Sequence, residues 1–234
     1  MEKIKLSRRL AAIAEMVPYG SICIDVGTDH GYIPAWLIQN GICPHVFASD
    51  INAGPLGSAR RTAVLAGTVE KTEFLLCNGL SAYSENSADA VIIAGMGGET
   101  IISILQAAPW TANGVKLILQ PQSKSELLRK WLTASGYVII CESLIEDGRI
   151  YQLLTASGGT CTHRYSPAEY HLGALDQISD NPLFPEYLNN EIRRAEKSIA
   201  GMTSSKENDT LRLQNEKGLL EQYLKIKEAR SEHR

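Results

Sequence analysis

Long apolar runs are missing from the sequence. No stretch approaches the roughly 18 consecutive apolar residues that span a bilayer, and residues 1–10 lack the apolar segment and cleavage site of a signal peptide. These absences predict a cytoplasmic chain with no membrane partner.

Cysteines are few, and their spacing does not pair them. Cys23, Cys43, Cys77, Cys141 and Cys161 are odd in number, lie far apart and form no C-x-x-C motif. A disulfide framework or a zinc knuckle needs closer or paired spacings, so we predict reduced, structural cysteines. Cys23, Cys77 and Cys141 lie inside apolar runs, where a free thiol packs as a small apolar side chain. The sequence also shows no acidic cluster for a metal and no Ser-His-Asp or Cys-His order for nucleophilic catalysis.

An excess of positive charge is missing too. Lys and Arg number 23 against 26 Asp and Glu, a net charge of −3. This balance excludes a polycation that coats nucleic acid by bulk charge. A local basic patch remains compatible with it, because net charge reports only the sum.

The 234 residues are 44% hydrophobic, which is enough for a globular core, and they alternate between strand and helix patterns. Strands are predicted at 21–26, 46–50, 73–77, 90–94 and 115–119, and helices at 4–17, 32–40, 55–66, 99–107 and 125–135. Two more strands, 137–141 and 150–154, flank the hairpin signal Glu146-Asp147-Gly148. We therefore predict an α/β fold with a Rossmann-like, doubly wound, mostly parallel seven-stranded sheet closed by an antiparallel hairpin.

After Ser157-Gly158-Gly159 the pattern changes to polar helices with an apolar stripe. The stripe consists of Leu188, Ile192, Ala195, Ile199, Met202, Leu213, Leu220 and Leu224. The polar break at 203–209 predicts the turn of an antiparallel, coiled-coil-like helical hairpin. We therefore predict two domains, residues 1–158 and 159–234. The hairpin has three open interpretations: a solvated appendage, a substrate contact or a surface for self-association.

The first predicted strand ends in a glycine loop that runs from Asp25 to Gly31. In open sheets of this kind the ligand lies beyond the carboxyl ends of the strands. A dinucleotide-binding loop reads G-x-G-x-x-G, whereas this one reads G-x-D-x-G, with Asp29 in place of the middle glycine. A carboxylate there repels a pyrophosphate and favours a cationic ligand, such as the amino group or sulfonium of S-adenosylmethionine. A nicotinamide-dependent oxidoreductase is therefore disfavoured.

Polar residues also end the following strands. Asp50 can accept hydrogen bonds from ribose hydroxyls, and Asn78-Gly79-Leu80 offers an amide for an adenine edge. The fourth strand runs into Ala94-Gly95-Met96-Gly97-Gly98, whose glycines admit a flat ligand, and the fifth into Gln120-Pro121-Gln122, whose amides can read a base edge. Each feature alone has the plain alternative of a strand-end cap or a tight turn. Together they predict a nucleoside-shaped site.

The sequence resembles the bacterial tRNA (adenine-22-N1)-methyltransferase family in the segments L-S-R-R-L, D-V-G-T-D-H-G-Y-I-P, S-D-I, N-G-L, D-A-V-I-I-A-G-M-G-G and L-I-L-Q-P-Q. The likeness covers residues 1 to about 155. It implies a class I methyltransferase (EC 2.1.1) that uses S-adenosylmethionine to methylate N1 of adenine 22 in tRNA, with a C-terminal helical domain. One departure is Asn78, where many relatives carry aspartate.

The resemblance also implies roles for individual residues. The donor-binding positions are Asp25, Gly27, Thr28, Asp29, Gly31, Asp50, Ile51, Asn78, Gly79, Leu80 and Ala94. The positions expected around the reacting base are Asp29, His30, Gly95, Met96, Gly97, Gln120 and Pro121. Of these, Asp29 or His30 would remove a proton after transfer. No metal is expected.

Binding of tRNA must come from local charge, because the chain is acidic overall. The basic residues expected to contact phosphates are Lys5, Arg8, Arg9, Arg60, Arg61, Lys124, Arg129 and Lys130. Their plain alternative is an ordinary solvated helix face, and DNA is not expected as a partner. Other functions stay open: a methyltransferase for another RNA base or a small molecule, and a non-catalytic RNA-binding protein on the same fold.

Overall fold

Seven strands form one sheet in the computed structural model, which describes residues 1–204 and 210–232. The strands are β1 (Cys23–Val26), β2 (Val46–Asp50), β3 (Thr72–Leu76), β4 (Ala90–Gly97), β5 (Lys116–Ser123), β6 (Tyr137–Glu146) and β7 (Ile150–Gly158). They lie in the order β3-β2-β1-β4-β5-β7-β6, with β1 to β5 parallel and β7 antiparallel to both of its neighbours. This confirms the doubly wound sheet with a terminal hairpin. The strand order reverses between β1 and β4, so the switch point lies there.

Helix α1 (Arg8–Glu15) precedes the first strand, and four helices connect later strands. They are α2 (Tyr32–Gln39), α3 (Ala53–Ala66), α4 (Gly98–Gln106) and α5 (Ser125–Ala134). All four residues of β1 are buried, as are the first four of β4. Helices therefore cover both faces of the central strands, which explains why these strands appear in the sequence as continuous apolar runs.

The first helix is shorter than the predicted 4–17. Ser7 is its N-cap, and the Ser7 side chain accepts a hydrogen bond from the backbone N–H of Leu10. Upstream, the Ile4 N–H donates to Gln39 Oε1 at 3.0 Å, and the Glu2 N–H donates to the Leu65 carbonyl at 2.9 Å. Residues 1–7 therefore contact α2 and α3 without being helical. The spacing of their apolar side chains is the same as that of a helix, so the sequence pattern alone predicts a longer helix.

Two strands extend further than predicted and include residues expected in loops. Strand β4 continues through Gly95, Met96 and Gly97, and it pairs irregularly with the carboxyl end of β5, which continues to Ser123. The pairing shifts register on both sides of Met96. Backbone pairing with β5 thus holds a glycine-rich segment in strand, although its composition favours a turn.

The hairpin of β6 and β7 turns at the predicted site, where the Asp147 N–H donates to the Arg149 carbonyl at 2.9 Å. Its strands are longer than the predicted 137–141 and 150–154, and β7 inserts between β5 and β6. The tip of the hairpin therefore lies near the carboxyl end of β5, beside the switch point.

The structure divides into two units, Met1–His163 and Arg164–Arg234. The second contains α6 (Pro167–Leu172) and α7 (Leu175–Ile178), both absent from the predicted elements, followed by α8 (Phe184–Ser204) and α9 (Thr210–Glu232). A capping box begins α6, because Ser166 and Glu169 exchange side-chain-to-backbone hydrogen bonds.

Helices α8 and α9 pack together and confirm the helical hairpin. The prediction that Leu224 belongs to the apolar stripe is wrong, because Leu224 is 41% exposed and the adjacent Tyr223 is buried instead. Most of the predicted turn, residues 205–209, lies outside the described residues. Across the described part of the chain, no helix is both long and apolar enough to cross a membrane.

Candidate active site at the switch point

Two cavities lie at the carboxyl ends of the parallel strands and share Gly27, Ala94 and Gly95 in their walls. The Asp50 cavity has a volume of about 390 Å³ and is bordered by the ends of β1, β2 and β3 and by α4. The His30 cavity, of about 400 Å³, is bordered by the glycine loop, α1 and the end of β5. A shared wall allows one ligand to extend from one cavity towards the other.

The Asp50 cavity combines a carboxylate, amides and apolar side chains. Asp50 is nearly buried, and its Oδ1 accepts a hydrogen bond from the Asn52 N–H at 2.8 Å. Ile51 is 61% exposed beside it, and Asn78 and Met96 contribute further wall. The chemistry suits a nucleoside: a fixed carboxylate for vicinal hydroxyls, an amide for a base edge, and apolar faces for the ring.

Asp25 is the buried acid of the His30 cavity. Thr28 Oγ1 donates to Asp25 Oδ2 at 2.7 Å. Burial raises the pKa of Asp25 to about 6, and the nearby Asp50 also raises it, while the hydrogen bond from Thr28 acts in the opposite direction. The two carboxylates create a negative field at the shared wall, which favours a cationic ligand.

The tip of the glycine loop is open to solvent. Asp29 has the positive φ of 51°, and His30 Nε2 lies 3.8 Å from Asp29 Oδ1, with both side chains more than half exposed. The His30 ring stacks on Tyr32 at a centroid distance of 5.6 Å. Both predicted proton acceptors therefore line the cavity at its solvent-facing side.

Backbone geometry and packing explain why glycine occupies two positions of the loop. Gly27 has a φ of +72°, a left-handed conformation that residues with a Cβ rarely adopt, and a Cβ on Gly31 would lie 2.8 Å from Ala59 Cβ. The Gly27 and Thr28 N–H groups both donate to the Ser49 carbonyl. Gly31 starts α2 and lets it approach α3, so its role in the structure is packing, away from the cavity walls.

Three predicted site residues lie behind the cavity walls. Gln120 is fully buried, and Pro121 and Leu80 are buried as well. The prediction that Gln120 contacts the base is therefore wrong for this arrangement: its Oε1 accepts from Arg9 Nη1 at 2.9 Å and from Gln122 Nε2 at 3.3 Å. Gln122, two residues further along β5 where its pairing with β4 becomes irregular, lines the cavity instead. Gly97 lies at the N-cap of α4 and also lines neither cavity.

The predicted RNA-binding residues separate into distinct groups. The exposed ones are Lys5, Arg8, Arg60, Arg61, Lys124 and Lys130. Arg60 stacks on Phe74, and Lys124 Nζ forms an ion pair with Glu99 Oε2 at 2.7 Å. Among all the predicted basic residues, Arg9 is the one found in the His30 cavity wall.

Arg129 is a correction. Its side chain is fully buried, and its Nη2 and Nε both donate to Glu142 Oε2, at 2.6 Å and 2.8 Å. It joins α5 to β6 inside the protein and has no access to RNA. Its neighbour Lys130 is exposed.

Sequence reasoning missed Arg149 and Tyr151 on the hairpin and assigned no role to Tyr32. Arg149 and Tyr151 contact the cavity-lining Gln122 and Arg9, because β7 inserts beside β5, a non-local pairing that no local motif encodes. In the portion of the chain that the structure describes, no group of three or more His, Cys, Asp or Glu is placed to hold a metal ion.

The doubly wound sheet and the nucleoside-type cavity at its switch point define a Rossmann-like methyltransferase domain. A family model described as "Methyltransferase domain" matches residues 6–154. The tRNA (adenine(22)-N(1))-methyltransferase of Bacillus subtilis (strain 168) is 35% identical over 177 residues, which make up 75% of this chain and 74% of that protein. The chain therefore belongs to the tRNA (adenine(22)-N1)-methyltransferase family.

Solved structures agree with this assignment over both units. The crystal structure of the B. subtilis m1A22 tRNA methyltransferase TrmK has a TM-score of 0.83 at 29% identity, and the match covers 97% of this chain and 99% of that one. The structure of M. capricolum TrmK in complex with S-adenosyl-homocysteine has a TM-score of 0.81 at 28% identity, and the match covers 94% of this chain and 98% of that one.

Proposed function

We propose that this protein transfers a methyl group from S-adenosylmethionine to N1 of adenine 22 in tRNA. The observation that carries the proposal is the pair of cavities with a shared wall at the switch point: one has the chemistry of a nucleoside site, and the other opens to solvent for an acceptor. Family membership supplies the substrate, since the B. subtilis relative carries the name of this reaction.

The Asp50 cavity fits the nucleoside part of the donor. The Asp50 carboxylate would accept from the ribose hydroxyls, Asn78 and the Gly79 backbone would meet the adenine edge, and Ile51 and Met96 would pack on its faces. The amide of Asn78 can both donate and accept, so it serves an edge that carries an amine and a ring nitrogen.

The acids of the His30 cavity fit the charged part of the donor. Asp25 and Asp29 would balance its amino group and sulfonium, as their place in one cavity wall allows. When bound, S-adenosylmethionine supplies a methyl group that is already activated on sulfur. The chain's own task is to align the acceptor and exclude water.

The acceptor side requires little acid–base chemistry before transfer. Adenine N1 attacks with its own lone pair, and because N1 lies on the Watson–Crick edge, the base must be unpaired or flipped out. Gly95 admits it closely, since a Cβ there would have neighbours only at 4.0 Å. After transfer the N6 amine of the cationic product can lose a proton, and His30 or Asp29 lies at the same cavity to accept it.

The test is methyl transfer from labelled S-adenosylmethionine to an unmodified tRNA transcript. We expect label in tRNA from the wild type, and loss of donor affinity in Asp50→Ala. Label in small molecules but not in tRNA would support a small-molecule methyltransferase instead. Binding of tRNA without any affinity for the donor would identify a non-catalytic RNA-binding protein and refute the proposal.

A cytoplasmic location follows from the proposed substrate and is part of the same proposal. Self-association through the C-terminal helices stays a prediction. Sedimentation of the full chain at two concentrations would test it directly.

A further inference from the structure

Two arginines share one aromatic ring beside the His30 cavity. The guanidinium carbon of Arg9 lies 5.3 Å from the centroid of the Tyr151 ring, and that of Arg149 lies 4.6 Å from the same centroid. Arg9 comes from α1 and Arg149 from the hairpin tip, so two segments far apart in sequence bring two positive charges to one place.

Hydrogen bonds hold both arginines in position. Arg9 Nη1 donates to Gln120 Oε1 at 2.9 Å, and Arg149 Nη2 donates to Gln122 Oε1. The two glutamines are themselves linked, because Gln122 Nε2 donates to Gln120 Oε1 at 3.3 Å. Stacking on Tyr151 and this amide chain limit the freedom of both guanidinium groups, which lowers the entropy lost when they bind a ligand.

The charge of this arginine pair is not balanced by acids in contact with it. Among the described residues, neither guanidinium forms an ion pair with a carboxylate. Asp147 uses its Oδ2 to accept from the Arg9 backbone N–H at 3.2 Å. Hydrogen bonds from Ser7 and from this N–H, together with the charges of Arg9 and Arg8, lower the pKa of Asp147, so this acid interacts with Arg9 without forming an ion pair with its guanidinium. Amides and an aromatic ring do not neutralise a cation, so two guanidinium groups remain available to an anion.

The position of the pair identifies the anion. Arg9 and Gln122 line the same cavity as His30 and Gly95, where the acceptor base would enter. Arg149 is exposed and donates a hydrogen bond to the cavity-lining Gln122. An RNA base that enters this cavity brings its own backbone phosphates to the rim, within reach of side chains placed there.

We propose that Arg9 and Arg149, stacked on Tyr151 and linked through Gln120 and Gln122, form a binding site for an RNA backbone phosphate next to the target nucleotide. This inference rests on the proposed function, because it assigns part of the tRNA contact. Arginine suits the task, since its planar fork can donate two hydrogen bonds to one phosphate.

The experiment compares full-length variants in tRNA binding and in donor binding. Arg149→Gln removes the exposed charge, Arg149→Lys keeps the charge without the fork, and Lys71→Gln is the matched control. Lys71 is exposed and directly precedes β3 at the amino end of the sheet, opposite the site. The dissociation constant for unmodified tRNA is measured from 50 to 200 mM salt, and that for S-adenosylmethionine by calorimetry.

We expect Arg149→Gln to weaken tRNA binding about tenfold or more at the lower salt concentration. The slope of log K against log salt should become shallower by about 0.7 to 0.9, the value of one phosphate contact. Arg149→Lys should retain most of the slope while losing part of the affinity. Lys71→Gln should change neither quantity, and donor affinity should be unchanged in all three.

Two results would overturn the inference. If Arg149→Gln binds tRNA with wild-type affinity and slope, the cluster only supports the fold. If it loses donor affinity while tRNA binding is intact, the anion is the donor's carboxylate. A wild type that does not bind tRNA would instead overturn the proposed function, so the two failures are distinguishable.

Discussion

Asp25 is a buried acid whose charge the apo protein accommodates at a cost. Asp25 is 5% exposed, and its carboxylate accepts a hydrogen bond from the uncharged hydroxyl of Thr28. Replacing it by asparagine removes the charge and keeps an oxygen that can accept the same bond. Asp25→Asn should therefore stabilise the protein and, because the carboxylate is proposed to meet the donor's cationic part, weaken donor binding.

The magnitude and its pH dependence follow from the pKa of Asp25, which is raised from 3.8 to about 6 in the folded protein. The folded state therefore holds this proton to higher pH than the unfolded state does. Ionisation of Asp25 therefore lowers the free energy of unfolding. This loss is absent below about pH 4, grows as the pH rises towards 6, and is complete above pH 6. A difference of about two pKa units corresponds to about 3 kcal/mol, which is the upper limit of what the asparagine variant gains.

Urea unfolding without donor, at pH 7.5 and at pH 4.5, measures this gain. Asp25→Asn should exceed the wild type by up to about 3 kcal/mol at pH 7.5, and the difference should shrink to about 1 kcal/mol at pH 4.5. The matched control is Asp180→Asn in the second unit, where the acid is exposed, and no comparable pH-dependent gain is expected. An equal difference at both pH values, or a less stable variant at pH 7.5, would refute the reasoning.

Three further predictions concern packing and the donor site. Glu142→Ala should destabilise the protein by about 3–5 kcal/mol, because it removes the carboxylate that forms an ion pair with the buried guanidinium of Arg129. Thermal unfolding measures this loss, and a change below about 1 kcal/mol would contradict it. Gly98→Ala should lower the melting temperature, because a Cβ there would lie 2.3 Å from the backbone oxygen of Lys124. Its control is Gly57→Ala inside α3, where the added Cβ meets only ordinary contacts and the melting temperature should be unchanged or slightly higher. Asn78→Ala should weaken donor binding about tenfold by calorimetry, the value of one lost hydrogen bond, and an unchanged affinity would remove this side chain from the proposed adenine contact.

The parallel part of the fold was predictable because its signals are local. Each of the strands β1 to β5 coincides with an apolar run of the sequence, and the Asp-Gly sequence at 147–148 marks the hairpin turn. The rule that ligands lie beyond the carboxyl ends of the strands then predicts that Asp25, Asp50 and Asn78 belong to one site. The cavity walls contain all three.

The remaining features depend on non-local contacts. Whether Arg129 faces solvent depends on Glu142 in a strand that lies beside its helix, and the sequence gives no sign of that pairing. Gln120 and Gln122 are two residues apart, and only their register against β4 decides which one reaches the cavity. The short helices α6 and α7 have too few residues to show a period.

The measurement that tests the central claim most directly is primer extension on tRNA after incubation with the protein and S-adenosylmethionine. Methylation at N1 blocks base pairing, so the account predicts a new arrest at adenine 22, absent when the donor is omitted and absent from a transcript with guanine at that position. Methyl label in tRNA without an arrest at adenine 22 would contradict the proposed reaction, although it would leave a tRNA methyltransferase in place.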